Sequence, residues 1–445
     1  MGTSIPTASG ELPVIGHGVQ LARRRTEFLA SLTEIGEIVE INMVGMPAYV
    51  LTDPDLIWRV LVSESHNYVR GRMFDKMTEV LGNGLATISG KAHRDTRRIL
   101  QPTFHRQQVA AYGPIMSSTA ADVAESWQAG RAIEVDDAMN DLTARVVNGI
   151  LFASDLGAAA ADAIQRRLPV VMKGMLTRTL IPGAWQRLPL PANTRYRKAI
   201  DQMDSAIDEA ITAYRSARAD HSDMLTTLLA LRDEAGKPMP DQWIHDQVIT
   251  VAVGGIETTS AALSWCLHYI GTRPDVEEQL HRELDTVLGD RPVELMHVMA
   301  LKYVGRVVQE VLRMHAVAVF MRRTLGPTQL GAYELPPNAE IIVSPYTMHR
   351  NARWFPEPAR FDPDRWSRPE TQNLPKGAFI PFSAGHSKCI ADNFAVLEIT
   401  LALAEICRRW RLRPVPGQSV REITTGATRP DRLTMIPEAR SRASV

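Results

Sequence analysis

The chain has 445 residues, of which 45% are hydrophobic and 22% charged, and a formal net charge of +0. That length suits one large lobed domain or two domains, the composition is that of a soluble globular protein, and the charge balance offers no overall attraction to nucleic acid or an anionic membrane. The three cysteines, Cys266, Cys389 and Cys407, are too sparse for a disulfide framework, and no Cys–His spacing suggests structural zinc.

The opening MGTSIPTASGELPVIGHG is polar and broken by Pro6 and Pro13, so neither a secretion signal nor a membrane anchor is expected. EIVEINMVGMPAYVLTD alternates apolar and polar residues on both sides of Gly45, which predicts a hairpin. From Pro54 to about Leu231 the signals are mostly helical. In MDSAIDEAITAYRSAR, for example, Met203, Ile207, Ile211 and Tyr214 recur on one helical face. Val248 to Ile270, VITVAVGGIETTSAALSWCLHYI, is long enough to span a membrane. Glu257, Thr258, Thr259 and His268 would make that span costly, so the stretch reads as the central helix of a soluble core.

Further helices follow Pro274, through VEEQLHRELDTVL and LKYVGRVVQEVLRMH. TLGPTQLGAYELPPNAEIIVSPYTMHR then reads as short strands and turns. The proline-rich NARWFPEPARFDPDRWSRPETQNLPKGAFIPF can neither continue a helix nor fill a central strand, and Trp354, Phe355, Phe361 and Trp366 would pack it as an irregular loop. Helix resumes from about Ile390 to Trp410, and strand-like pieces close the chain. The expected fold is mainly α with a small β lobe, without internal repeats or a nucleotide-binding strand–helix series.

Cys389 lies in FSAGHSKCIADNFAVLE, between a glycine turn and an apolar helix. A free cysteine is usually a small buried hydrophobe. Here Gly385 permits a tight turn, and backbone N–H groups and the dipole at the start of the next helix would favour a thiolate. A nucleophile would need a base, and beyond His386 nothing resembles a cysteine-protease arrangement. A haem iron needs only one protein thiolate, which pushes electron density toward bound oxygen.

Three other motifs matter. Glu310 and Arg313 share one helical face, which alone would suggest an ordinary surface pair. In GGIETT, Gly254 and Gly255 weaken a helix interior. They allow either close helix packing, with Thr258 bonded to its own backbone, or a local kink whose freed carbonyl Thr258 would bond. In GKAHRDTRRILQPTF, His93 and Arg97 lie one helical turn apart.

The cysteine stretch resembles the haem-binding loop of cytochromes P-450, Phe-x-x-Gly-x-Arg/His-x-Cys-x-Gly, with Phe382, Gly385 and Cys389 in register. Ser387 stands where the family usually has a cation for a haem propionate, with His386 and Lys388 beside it, and Ala391 stands where it usually has Gly. Glu310 and Arg313 match the family's Glu-x-x-Arg, with Arg360 at the place of a third, structural partner. GGIETT matches the oxygen-activation motif of the central helix. Together the motifs imply a cytochrome P-450 fold, a single domain over residues 1–445, and haem b with Cys389 as axial iron ligand. His93, Arg97 and Arg322 (Arg323 in the alternative register) would hold the propionates.

The resemblance implies monooxygenation: one atom of O2 enters a hydrophobic small molecule and the other leaves as water. Glu257 and Thr258 would deliver protons and guard against peroxide release. Met73, Phe74, Leu85, Thr250, Val253, Gly254, Ala318 and Phe320 would line the substrate pocket, although apolar residues among them also suit an ordinary core. HDQVITVAVGGIETT and CIADNFAVLE look most like bacterial members that oxidise terpenes and other secondary metabolites. A terpenoid is therefore the expected substrate, with a macrolide-like polyketide second. Electrons would come from a separate ferredoxin and ferredoxin reductase in the cytoplasm, docking near Lys388, Arg94 and Arg98. A peroxide-driven peroxygenase is one alternative, although such members typically lack the acid–alcohol pair. A haem protein catalysing a redox-neutral rearrangement is another.

Overall fold

A computed structural model describes residues 4–43, 45–180, 186, 188–217, 223–424 and 427–440. The chain divides into two compact units. The first comprises Met1–Asp75, Ser89–Arg94 and Arg306–Ile390, and the second comprises Lys76–Ile88, Asp95–Gly305 and Ala391–Val445.

The first unit is built on a five-stranded sheet in the order Ile38–Asn42, Pro47–Leu51, Glu340–Val343, Phe320–Thr324, Tyr68–Arg70. The first two strands form the expected hairpin, pairing Glu40 with Tyr49. Gly45 takes the left-handed φ of +81° that the turn requires, and its N–H donates to Asn42 Oδ1 at 2.7 Å. Pro47–Leu51 then pairs in parallel with Glu340–Val343, from the far end of the chain. Successive side chains on a strand face opposite sides. Ile38, Tyr49, Leu51, Ile341 and Val343 accordingly enter one apolar cluster, while Val39, Ile41, Ala48, Val50 and Ile342 enter another with Phe28 and Leu32. The edge strand Tyr68–Arg70 lies in a region expected to be helical. Three residues are too few for alternation to show, and only pairing with Phe320–Thr324 makes them a strand. The proline-rich segment packs on its aromatics as expected: Phe355 and Phe361 are buried, and Trp366 lies 4.5 Å from Phe379 between ring centroids.

The second unit is helical. Met203, Ile207, Ile211 and Tyr214 are all buried along Pro191–Ala217, as their spacing predicted. The long apolar stretch belongs to the helix Asp241–Thr272, and 72% of its most apolar window is buried inside the protein. It packs against the helices Val135–Leu151 and Asp392–Arg409. Trp265 Nε1 donates to Thr428 O at 3.0 Å, pinning the helix to a terminal hairpin. A three-stranded sheet, Ile133–Glu134, Thr434–Ala439 and Trp410–Pro414, completes the unit.

Candidate active site

Of the three cysteines only Cys389 is exposed. Burial pushes the Cys407 thiol up to about 12 and raises Cys266 well above its ordinary value, so both stay protonated. The loop before Cys389 is held by its own backbone: Cys389 N–H donates to Phe382 O at 2.9 Å and Lys388 N–H to Gly385 O at 3.1 Å. These two amides close the loop and are not aimed at the sulfur. Gly385 has φ +66°, and a side chain there would collide with Leu61 O. The turn therefore needs glycine for both its conformation and the closeness of its neighbour. The His386 ring meets buried His93 edge to face, with centroids 5.6 Å apart.

Glu310 and Arg313 are fully buried and form a two-point ion pair, with Arg313 Nη2 on Oε1 at 2.8 Å and Nε on Oε2 at 3.0 Å. The expected third partner is corrected. Arg360 is largely exposed and pairs with Glu357, giving the cluster only its carbonyl. Arg365, five residues on and buried, puts Nε 3.3 Å from Glu310 Oε1. Asp362 N–H and Trp366 Nε1 complete the carboxylate's partners at 3.1 and 3.0 Å. His349 joins the network. Its Nε2 accepts from Ile380 N–H at 2.9 Å, so Nδ1 carries the proton and donates to Arg313 O at 3.1 Å. Burial holds this imidazole neutral, its pKa lowered to about 3. The backbone just before the cysteine loop is thus anchored to the Glu310–Arg313 pair.

Arg322 and Arg323 are neighbours on a strand and face opposite sides. Arg323 bonds Glu340 at 2.6 Å and Asp75 at 2.7 Å. Arg322 is 5% exposed, bonds only the Met321 carbonyl, and meets no carboxylate among the described residues. Burial lowers its pKa to about 10, still a cation at neutral pH. A buried cation without an anion is costly, so the position calls for an acid from outside the chain. His93 and Arg97 stand one turn apart on Gly90–Leu100, His93 buried and Arg97 half-buried.

On the central helix, Gly254 is exposed although the helix around it is mostly buried, and beyond its chain neighbours and the helix's own backbone no atom of the described residues stands within 4 Å of where its side chain would begin. The helix runs unbroken through Gly254 and Gly255, so the room comes from the missing side chain rather than from an interruption. Thr258 Oγ1 donates to Gly254 O at 2.7 Å. Glu257 is buried and lies 3.7 Å from Arg429, which also approaches Asp136 at 4.0 Å. Arg429, Arg365 and His349 escaped the sequence reading because each acts across a large sequence separation. The only local trace was Arg365, the second arginine in FPEPARFDPDRW.

The expected pocket residues fall into two groups. In the first unit, Met73 packs against the N-terminal apolar cluster and Phe320 against its neighbour, Phe74 lies under Arg70, and Ala318 is buried. In the second, Leu85 and Val253 are buried and Thr250 is half-buried on the helix turn before Gly254.

An exposed thiol on a fixed loop and a buried guanidinium lacking a carboxylate fit an iron porphyrin, which needs an axial ligand and carries acids of its own. The Cytochrome P450 family model matches residues 6–438. The chain is 40% identical to a cyclooctatin synthase of Streptomyces melanosporofaciens, over 97% of this chain and 95% of that one. It is 37% identical to the same organism's cyclooctat-9-en-7-ol 5-monooxygenase, over 98% and 95%, and 34% identical to the pentalenene oxygenase of Streptomyces avermitilis, over 98% and 97%. The crystal structure of the cytochrome P450DA heme domain aligns with a TM-score of 0.88 at 23% identity, covering 99% of each chain. The chain belongs to the cytochrome P450 family and is a haem-thiolate monooxygenase.

Proposed function

We propose that the chain holds haem b through the Cys389 thiolate and inserts one atom of O2 into a terpenoid. The observation that carries the assignment of the ligand is the contrast among the cysteines: one exposed on a glycine-shaped loop, two buried and protonated. His93, Arg97 and Arg322 hold the propionates, and Arg322 supplies the otherwise unpaired charge. When bound, the haem supplies reductive activation of O2 and transfer of one oxygen atom. The protein's part is to place substrate, exclude water and move protons. Thr258 spends its hydrogen on Gly254 O, so its oxygen is left to accept a hydrogen bond from a water or hydroxyl. Glu257, held toward Arg429, is the carboxylate that relays protons from solvent.

The relatives' names support the terpenoid class, and Leu85, Val253 and Thr250 suit a neutral, mostly hydrocarbon substrate. Electrons come from a ferredoxin and its reductase in the cytoplasm. Arg98 pairs with Glu234, and Lys388 and Arg94 are the cations proposed to face that partner. The test is turnover of terpene hydrocarbons with ferredoxin, reductase and isotopically heavy O2. One heavy atom in the product supports the proposal. Product formed with hydrogen peroxide but not with the electron-transfer proteins would replace it with a peroxygenase.

A further inference from the structure

The central helix carries three consecutive buried polar residues near its start: His245, Asp246 and Gln247 are 6%, 4% and 0% exposed. Buried polar groups are costly unless hydrogen-bonded. Consecutive helical residues also point about 100° apart, so the three do not all face one neighbour. His245 lies 3.3 Å from Asp204 and 3.1 Å from Asp208, both on Pro191–Ala217. Asp246 and Gln247 both reach the turn Gly82-Asn83-Gly84-Leu85. Asp246 Oδ2 accepts from Asn83 N–H at 2.8 Å, and Gln247 Oε1 accepts from Leu85 N–H at 2.9 Å. Each acceptor is itself steadied: Gln242 Nε2 donates to Asp246 Oδ1 at 2.9 Å, and Gln247 Nε2 donates to Trp243 O at 3.3 Å.

The turn is shaped to lie on this helix. A side chain on Gly82 would strike Asp246 Oδ1, and one on Gly84 would strike Thr250 Oγ1. Thr87 Oγ1 closes the turn from its other side, donating to Gly82 O at 2.7 Å and Gly84 O at 3.0 Å. Leu85 is thereby held beside the helix face that carries Thr250, Val253 and Gly254, which lie three and four residues apart.

We propose that Asp246 and Gln247 are positioning residues: by holding the backbone of Asn83 and Leu85 they fix one wall of the substrate pocket and so set regioselectivity. This rests on reading Leu85, Thr250 and Val253 as pocket lining. A hydrocarbon offers few polar handles, so its orientation is decided by the shape and rigidity of the walls. Connecting segments are ordinarily mobile; here two buried side chains replace that mobility with a fixed register. A wall displaced by about 1 Å can cost about a hundredfold in rate.

The test uses the haem-loaded full chain and two spectral probes, imidazole and the bulkier 4-phenylimidazole, on wild type, Gln247→Ala, Gln247→Glu, Asp246→Asn and Leu85→Ala. Gln247→Glu keeps the oxygen that accepts from Leu85 N–H, loses the donor to Trp243 O and adds a buried acid. The expected result is that Gln247→Ala keeps the carbon monoxide band and its imidazole affinity, while its 4-phenylimidazole affinity shifts by about tenfold. Gln247→Glu and Asp246→Asn, which retain an acceptor oxygen, stay closer to wild type. Amide exchange at Leu85 accelerates in Gln247→Ala alone. If Leu85→Ala shifts 4-phenylimidazole but Gln247→Ala leaves both the probe and the Leu85 amide unchanged, the latch is wrong. If Gln247→Ala and Gln247→Glu alter both probes equally, the residue is merely structural and the proposal falls. If Leu85→Ala changes nothing while Gln247→Ala frees the Leu85 amide, the pocket assignment fails instead.

Discussion

Arg322 and Arg323 differ by one position and by almost everything else. Arg323 is satisfied by Glu340 and Asp75, whereas Arg322 is buried against the Met321 carbonyl and meets no carboxylate among the described residues. Substituting each should therefore have opposite consequences. Arg322→Leu removes an unpaired buried cation, so the haem-free chain is expected to melt no lower than wild type, while haem is lost more readily to a scavenging apoprotein. Arg323→Leu takes the cation from Glu340, 3% exposed, leaving it the Arg72 N–H, and should lower the melting temperature directly. A haem-loss rate unchanged in Arg322→Leu would remove this residue from the propionate site. Thr258 invites a second test at the same scale. Thr258→Ala should keep the haem spectrum but divert a larger share of consumed electrons to hydrogen peroxide, measured as product formed per reducing equivalent.

Among elements, the ion-pair cluster around Glu310 shows what spacing alone reveals. Glu310 and Arg313 were visible as an i, i+3 pair because one helix carries both. Their third partner depends on how the proline-rich segment folds back, and that segment offers two arginines. The carboxylate chose Arg365, and Arg360 turned outward. Losing one partner of a buried pair costs roughly 3–5 kcal/mol, whereas an exposed pair contributes about 0–1 kcal/mol. Denaturant melts should thus show Arg365→Ala strongly destabilised and Arg360→Ala nearly silent; the reverse order would contradict the assignment. His245 gives a pH dependence between two other elements. Burial pushes its pKa down, but Asp204, Asp208 and Asp246 outweigh burial and raise it above the ordinary 6.5. A raised pKa means that the protonated form is favoured on folding. Its contribution is therefore fully present below about 6.5, the unfolded value, and fades as pH rises through the folded one. Melting temperature against pH should fall over that window in wild type and flatten in His245→Gln.

For the whole molecule, the mainly α architecture, the hairpin around Gly45, the buried central helix and the aromatic packing of the proline-rich segment were legible because each is written in local periodicity or composition. The strand Tyr68–Arg70 was not, since three residues carry no pattern until a distant strand pairs with them. The motif order pointed to the haem loop, yet Arg429 beside Glu257, His349 behind Arg313 and Gln247 on Leu85 N–H arise only in three dimensions. Ser387 and Ala391 depart from the family pattern within the loop itself, where the His386 ring meets His93 edge to face. Whether the loop still presents a thiolate is the central claim, and one spectrum addresses it. The haem-loaded protein is reduced, exposed to carbon monoxide and its absorption recorded. The strongly red-shifted Soret band of a thiolate-ligated haem, absent in Cys389→Ser, is the result predicted. A band at the shorter wavelength of an imidazole-ligated haem in the wild-type protein would contradict it.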